Sequence, residues 1–334
     1  MSLKSWFNEK VRRRPPVPAL SAPSLRGPNK RRERRIYQLA ELKGGGAQVE
    51  AFFEFVRERY CILLKRRAAA EEGATTWGPP WTKDPVLQKY RFCNVFREDD
   101  KTTVWFRENV RGPLSEHPNV LMATIIFRWF NRITTGKVLL DHVLFADWNP
   151  SRARAVLKDL HPLITGAYVI RTAAGMTKLE GLIKYIDCMW AQRGELIAQV
   201  EACTTLEGAC AILQSYEGLG SFMAYEIVTD LRHTYLLRDA TDINTWANPG
   251  PGAARGLGLV LLGDAEEFRY DSSVDSAKLQ DGMQHLLALS RLNYWPGGWP
   301  RWEMREVEHS LCEYAKYMGA KEGRKLKQRF STGR

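Results

Sequence analysis

From Ala47 onward one period keeps returning. Phe52, Phe53, Val56, Tyr60, Leu63 and Leu64 recur at helical spacing through AQVEAFFEFVRERYCILLKRRAAAEE, which predicts an amphipathic helix with a basic outer side. Further helices are expected near 86–98, 118–132, 137–146, 151–160, 177–200, 204–213, 221–232, 275–292 and 301–318, with a helix start at Ala253. The strict alternation that marks strands is scarce. So many helices with short connections leave one architecture, a mainly α helical bundle. No repeat at solenoid period occurs.

At 334 residues, a prior of ~150 per domain allows one large domain or two modest ones. Charge divides the chain more sharply than length does. The net charge is +11, yet residues 1–35 carry 11 Lys/Arg against 2 acids, and residues 316–334 carry 7 against 1. The body between them is slightly acidic, unlike a uniformly basic DNA-coating protein. The expected layout is a flexible basic arm at 1–40, a helical domain at 41–320 with room for two lobes dividing near 165–176, and a basic tail at 321–334. Arg12, Arg13, Arg14, Arg31 and Arg32 sit in the arm among Pro, Ser and Gly and would follow a phosphate backbone; the plainer reading is a solvated tail. Deleting the arm should weaken DNA affinity more than turnover. No apolar run approaches the ~20 residues of a membrane span, and no secretory signal is present, so no membrane partner and a cytoplasmic location are expected. The six scattered cysteines read as reduced thiols, with neither zinc-finger spacing nor a disulfide framework.

Residues 213–227, LQSYEGLGSFMAYEI, place Gly218 and Gly220 between two helical segments. This is the pattern of a helix-hairpin-helix, in which Gly218, Gly220 and Ser221 offer backbone N–H groups to a phosphate; an ordinary glycine turn between core helices is the alternative. The pattern resembles helix-hairpin-helix DNA glycosylases, whose essential aspartate corresponds in spacing to Asp242, 22 positions after Gly220. Asp242 could equally be a helix N-cap. Phe222 stands where lyase members carry a Schiff-base lysine. In NPGPGAARGL at 248–257, Gly250, Gly252 and Arg255 form either an anion cradle or a structural elbow. No GxxxxGK[ST] occurs in these residues, which excludes a P-loop here.

On the helix expected near 86–98, Tyr90, Asn94 and Arg97 share one side, as do Arg91 and Asn94. Arg128 and Asn131 repeat the theme in FRWFN. Such residues among aromatics suit base-edge and phosphate contacts, or a buried structural network. Near the C-terminus His309, Glu313 and Lys316 fall at i, i+4 and i+7. Glu313 could then be a general base, or the stripe could be a solvated salt-bridged face. Asp99, Asp100, Glu306 and Glu308 could hold Mg²⁺, although their spacing is not diagnostic.

KYRFCNVFR at 89–97, FRWFN at 127–131, GLGSFMAYEIVTDL at 218–231, PGPGAARGL at 249–257 and EHSLCEYAKY at 308–317 together resemble one family. It comprises the stand-alone phage proteins related to the helical domain of 5-hydroxymethyluracil DNA kinases, including glutamyl- and putrescinyl-thymine pyrophosphorylases and amino acid:DNA transferases. The resemblance implies a DNA-glycosylase-like helical fold. It also implies a transferase acting on double-stranded DNA with phosphorylated 5-hydroxymethyluracil, in which a free amino acid such as glycine, or a polyamine, displaces (pyro)phosphate. No certain cofactor is implied, and the host-cell cytoplasm is the implied location. Under this reading Arg91, Arg97 and Arg128 grip the departing phosphates, and Asn94 and Asn131 read base edges or hold the arginines. Asp242 or Glu313 takes the amine proton, with Lys316 and Tyr317 nearby, and Tyr90 joins the substrate-binding residues. Gly218, Gly220, Ser221, Gly250, Gly252 and Arg255 hold DNA or product phosphates. Replacing Arg97 by Ala should abolish transfer and leave the fold intact. Two other readings remain open: a glycosylase using Asp242, and a non-catalytic helical DNA-binding module.

Overall fold

Two elements form the interior of a computed structural model that describes residues 45–73, 81–167, 170, 172 and 175–330. One is α4, Val120–Phe130, every residue of which is buried. A helix that is apolar all round must be enclosed by others. It ends where Asn131 takes the left-handed conformation at φ 44°, one that an Asn tolerates better than most side chains. The other is α10, Ser221–Leu231, buried from Met223 to its end.

The remaining helices surround these two. They are α1 Gly45–Glu71, α2 Pro85–Lys89, α3 Lys101–Phe106, α5 Ile133–Asp141, α6 Pro150–Leu157, α7 Lys178–Ala191, α8 Arg193–Glu201, α9 Leu206–Gln214, α11 Pro251–Leu262, α12 Ser273–Leu289 and α13 Met304–Lys321. Thirteen helices and no named strand among the described residues make the fold mainly α, as the periodicity predicts. One buried cluster joins residues from Val49 to Tyr317. On α1 the expected face is the buried one: Phe52 meets Trp302 and Tyr314 edge-on, and Phe55 stacks on Tyr317 at 4.4 Å. The arm, with Arg12, Arg13, Arg14, Arg31 and Arg32, lies outside the described residues.

Two expected helices differ. The stretch near 177–200 divides at Gln192 into α7 and α8. The helix near 86–98 is only α2, followed by extended chain. Asp84 caps it and Pro85 starts it, but Tyr90 leaves the helix to bridge antiparallel to Arg329. Tyr90, Asn94 and Arg97 therefore share no helical stripe. Instead the Asn94 side chain donates to Asp99 O (2.9 Å) and Asp100 Oδ1 (3.1 Å), fixing a turn before the short 3₁₀ segment Arg97–Asp99.

The glycines at 252 and 256 are there for helix packing. A Cβ on Gly252 would stand 2.6 Å from Cys312 Sγ, and one on Gly256 would stand 2.2 Å from Leu311 O. Only a bare backbone lets α11 approach α13 this closely. Gly218, at φ +88°, turns the chain between α9 and α10 with its Cα against the Tyr185 ring.

Candidate functional site

Helix α10 carries Glu226 and Asp230 one turn apart, 3% and 0% exposed. Charges at that depth need partners, and three arginines supply them. Arg128 of α4 brings Nε to 2.5 Å from Asp230 Oδ2 and Nη2 to 2.8 Å from Oδ1. Arg111, in the π-helical turn 107–111 after α3, reaches Oδ1 at 3.0 Å. Arg97 spans both acids, 3.0 Å from Glu226 Oε2 and 3.3 Å from Asp230 Oδ2, and also donates to Thr229 Oγ1 and Glu226 O. Burial pushes the Asp230 carboxyl up, but Arg128, Arg97 and Arg111 outweigh it and hold it well below the ordinary range. Arg305 of α13 takes the far side of Glu226 at 2.7 Å and joins it to Glu308 at 2.8 Å.

Arg97 and Arg305 also form part of the wall of a cavity of about 310 Å³. Arg67, Arg232 and Arg301 add three more cations to its lining, and Tyr60, Phe96, Tyr225 and Trp246 supply aromatic surface. Four of these arginines are neutralised: Arg67 by Asp99 and Arg232 by Glu303, besides Arg97 and Arg305. Arg301 is exposed and forms no ion pair among the described residues. Glu306 lines the same cavity. It closes the capping box of α13, accepting the Glu303 N–H at 2.9 Å. Burial, reinforced by the Glu303 carboxylate and opposed by that N–H bond, raises its pKa to about 7. A group with such a pKa can both take and return a proton near neutral pH.

The residues expected from sequence scatter over several places. Arg97 alone of the three expected phosphate-gripping arginines lines the cavity. Arg128 is 1% exposed beneath it and donates to Asn131 Oδ1 at 2.8 Å, so both belong to the buried network. Arg97 is part of the same network, and this corrects the expectation that Arg97→Ala would leave the fold intact. Arg91 is exposed elsewhere, with its backbone N–H on Gln328 O and its guanidinium 5.2 Å from the Phe330 ring. Tyr90 is buried beside Lys89 and Arg329.

Glu313 lies in no solvated stripe. It is 2% exposed and accepts from Cys93 N (3.0 Å) and Lys316 Nζ (2.6 Å). Burial raises it, but Lys316 and Arg59 hold its carboxyl below the ordinary range, making it a weak base. Lys316 is pushed up in return, against its own burial, by Glu313. Tyr317 donates to Asp84 Oδ2 at 2.6 Å at a separate cavity of about 580 Å³. Asp242 accepts from Leu206 N (2.7 Å) and Glu207 N (2.9 Å), capping the first turn of α9 with both oxygens.

Around the proposed phosphate cradles, Gly220 is the N-cap of α10, and Ser221 O accepts from Asn248 Nδ2 at 3.0 Å, tying that helix start to the loop before α11. Gly250 is the N-cap of α11, and its N–H is already directed at Glu308. Arg255 pairs with Glu266 at 3.2 Å. Asp99, Asp100, Glu306 and Glu308 do not converge: among the described residues no group of three or more His, Cys, Asp or Glu could hold a metal ion.

Sequence reasoning missed Arg301, and it weighed Glu306 only as a metal ligand. It also passed over Glu226 and Asp230, although two acids at i, i+4 inside the apolar run MAYEIVTDL announce a buried network that must recruit cations.

Residues 47–326 match the family model described as "5-hmdU DNA kinase, helical domain". The chain belongs to that family. It is also 25% identical over 263 residues to a 5-hmdU DNA kinase of Bacillus phage SP10, a match covering 71% of this chain and 40% of that protein. The chain thus spans well under half the length of this relative. No solved structure matches it. Among the described residues no helix is long and apolar enough to cross a membrane.

Proposed function

We propose that this chain is a DNA hypermodification transferase. An amine, from an amino acid such as glycine or from a polyamine, displaces (pyro)phosphate from phosphorylated 5-hydroxymethyluracil in DNA. The bond from the exocyclic carbon to the phosphate oxygen breaks with its electron pair leaving on the phosphate. A carbon–nitrogen bond forms, and the attacking nitrogen gives up a proton. The carrying observation is the cavity beside the Arg97 network, where an uncompensated Arg301 shares a wall with Glu306 at a pKa of about 7. Arg301 stabilises the departing polyanion. Glu306 accepts the amine proton, and the half-buried Trp246 of the wall offers an aromatic surface for a base that has left the stack. The turn between α9 and α10 serves in this reading as the helix-hairpin-helix, holding a DNA phosphate at Gly220 and Ser221. Base excision through Asp242 is less well supported, because both its oxygens are engaged by α9.

The test is to incubate duplex DNA carrying pyrophosphorylated hydroxymethyluracil with the protein and amino acids or polyamines, then digest it to nucleosides for mass spectrometry. Transfer gives a thymidine derivative heavier by the amine, with phosphate or pyrophosphate released. Abasic sites would mean excision, and unchanged DNA that is nonetheless bound would mean a passive module.

A further inference from the structure

The C-terminal basic segment is not a free tail. Phe330 N donates to Lys89 O and Arg91 N to Gln328 O, both at 3.1 Å, so residues 328–330 lie antiparallel along 89–91. This short ladder gathers Lys89, Arg91, Lys325, Lys327 and Arg329, all exposed, with Lys83 also exposed just before α2. Aromatic rings lie among the cations: Lys89 and Arg329 are 5.3 and 5.6 Å from the Tyr90 ring. From this ladder the chain runs directly to Phe96, Arg97, Glu98 and Asp99 in the wall of the Arg301–Glu306 cavity.

These cations differ from those of the body. Arg97, Arg111, Arg128, Arg154, Arg232 and Arg305 are each satisfied by a carboxylate. Lys83, Lys89, Lys325, Lys327 and Arg329 form no ion pair among the described residues. The nearby acids do not neutralise them: Asp84 is engaged by the Val86 and Leu87 N–H groups and by Tyr317, and Glu322 is the one acid in 321–330. Lysines and an arginine gathered on one exposed strip suit a polyanionic partner.

We infer that the strip formed by 325–330 against 89–91 is the surface along which a DNA duplex lies when a base is presented to the Arg301–Glu306 cavity. The inference rests on the DNA-modifying reading above and adds the path of the substrate. The strip makes phosphate contacts without reading bases, so it supplies affinity at every sequence.

The test uses the full chain with Lys89→Gln, Lys325→Gln and Lys327→Gln combined, and a companion carrying Arg at the same three positions. Binding of a fluorescent hydroxymethyluracil duplex is followed by anisotropy across salt concentrations. Each lost phosphate contact removes about 0.9 from the log–log salt slope, so the Gln variant should lose about 2–3 and bind at least ~10-fold more weakly at low salt. The Arg companion should retain the wild-type slope. A folded Gln variant with wild-type slope and affinity overturns the strip alone. A wild-type protein that binds no duplex at any salt overturns the strip and the DNA reading together.

Discussion

Arg128 on α4 holds both carboxylate oxygens of Asp230 on α10, 102 residues away in sequence, with neither side chain reaching solvent. This pair locks the two central helices together, and Arg97 and Arg111 complete the charge balance around it. Breaking a buried pair from one side leaves an uncompensated charge, at a cost of about 3–5 kcal/mol. Arg128→Ala and Arg97→Ala should each lose that much in urea unfolding, and the double variant should lose less than the two combined, since both act on one acid. Strict additivity would mean that the two arginines serve separate partners.

Arg301 should behave in the opposite way. It is exposed and forms no ion pair among the described residues, so Arg301→Ala should stay within about 0.5 kcal/mol of wild type in stability. Transfer should nonetheless fall by at least ~10²-fold, as expected when a group stabilising developing charge is removed. Single-turnover rates on phosphorylated DNA check this. Wild-type rates in the variant would remove Arg301 from the chemistry.

Glu306 ties stability to pH and, in the proposed reaction, ties activity to it with the opposite sign. Its folded pKa of about 7 lies above the usual carboxyl value, so folding favours the protonated form. Its contribution to stability is complete below the ordinary carboxylate range and is lost as pH rises through about 7. Glu308, raised to about 7 by burial, acts in the same direction. Melting temperature should therefore drop between pH 5 and pH 8 while the transfer rate climbs with the ionised base. Glu306→Gln should flatten part of the first trend and remove the rate limb near pH 7. An unaltered rate profile in that variant would place the base elsewhere.

The two roles weighed for residues 248–257 separate at two glycines six residues apart. A Cβ on Gly256 meets the Leu311 carbonyl at 2.2 Å, whereas one on Gly250 meets nothing within 4 Å. Gly256→Ala should destabilise by about 1–3 kcal/mol through overpacking. Gly250→Ala should fold normally, and an effect on DNA affinity alone would support a phosphate contact at that helix start. Thermal melts beside anisotropy titrations distinguish the two.

Helical period carried far into the structure, because burial on one side imposes it wherever a helix meets the core. It failed at 86–98, where a non-local partner, the backbone at 328–330, draws Tyr90 out of the helix; no local pattern records that pairing. The candidate site was harder to read for a related reason. Arg97, Arg128 and Asn131 were singled out as chemistry-bearing, yet one arginine looks like another in sequence, and only the position of Asp230 shows which are neutralised. Asp242 stood between cap and catalyst until α9 was seen to place its first N–H groups on both oxygens. Arg301 carried no motif, and its distinction is a missing counter-charge, which only the assembled wall displays.

The Arg128–Asp230 closure also sets an order on synthesis. Domains complete their cores only as the needed chain emerges from the ribosome, and α4 is made about a hundred residues before the acid that neutralises it. Until α10 emerges, a nearly continuous apolar segment, VLMATIIFRWF, waits without its partner helix. The nascent chain is then most exposed to aggregation in its middle third, and chaperone dependence should peak at arrest points just short of Asp230.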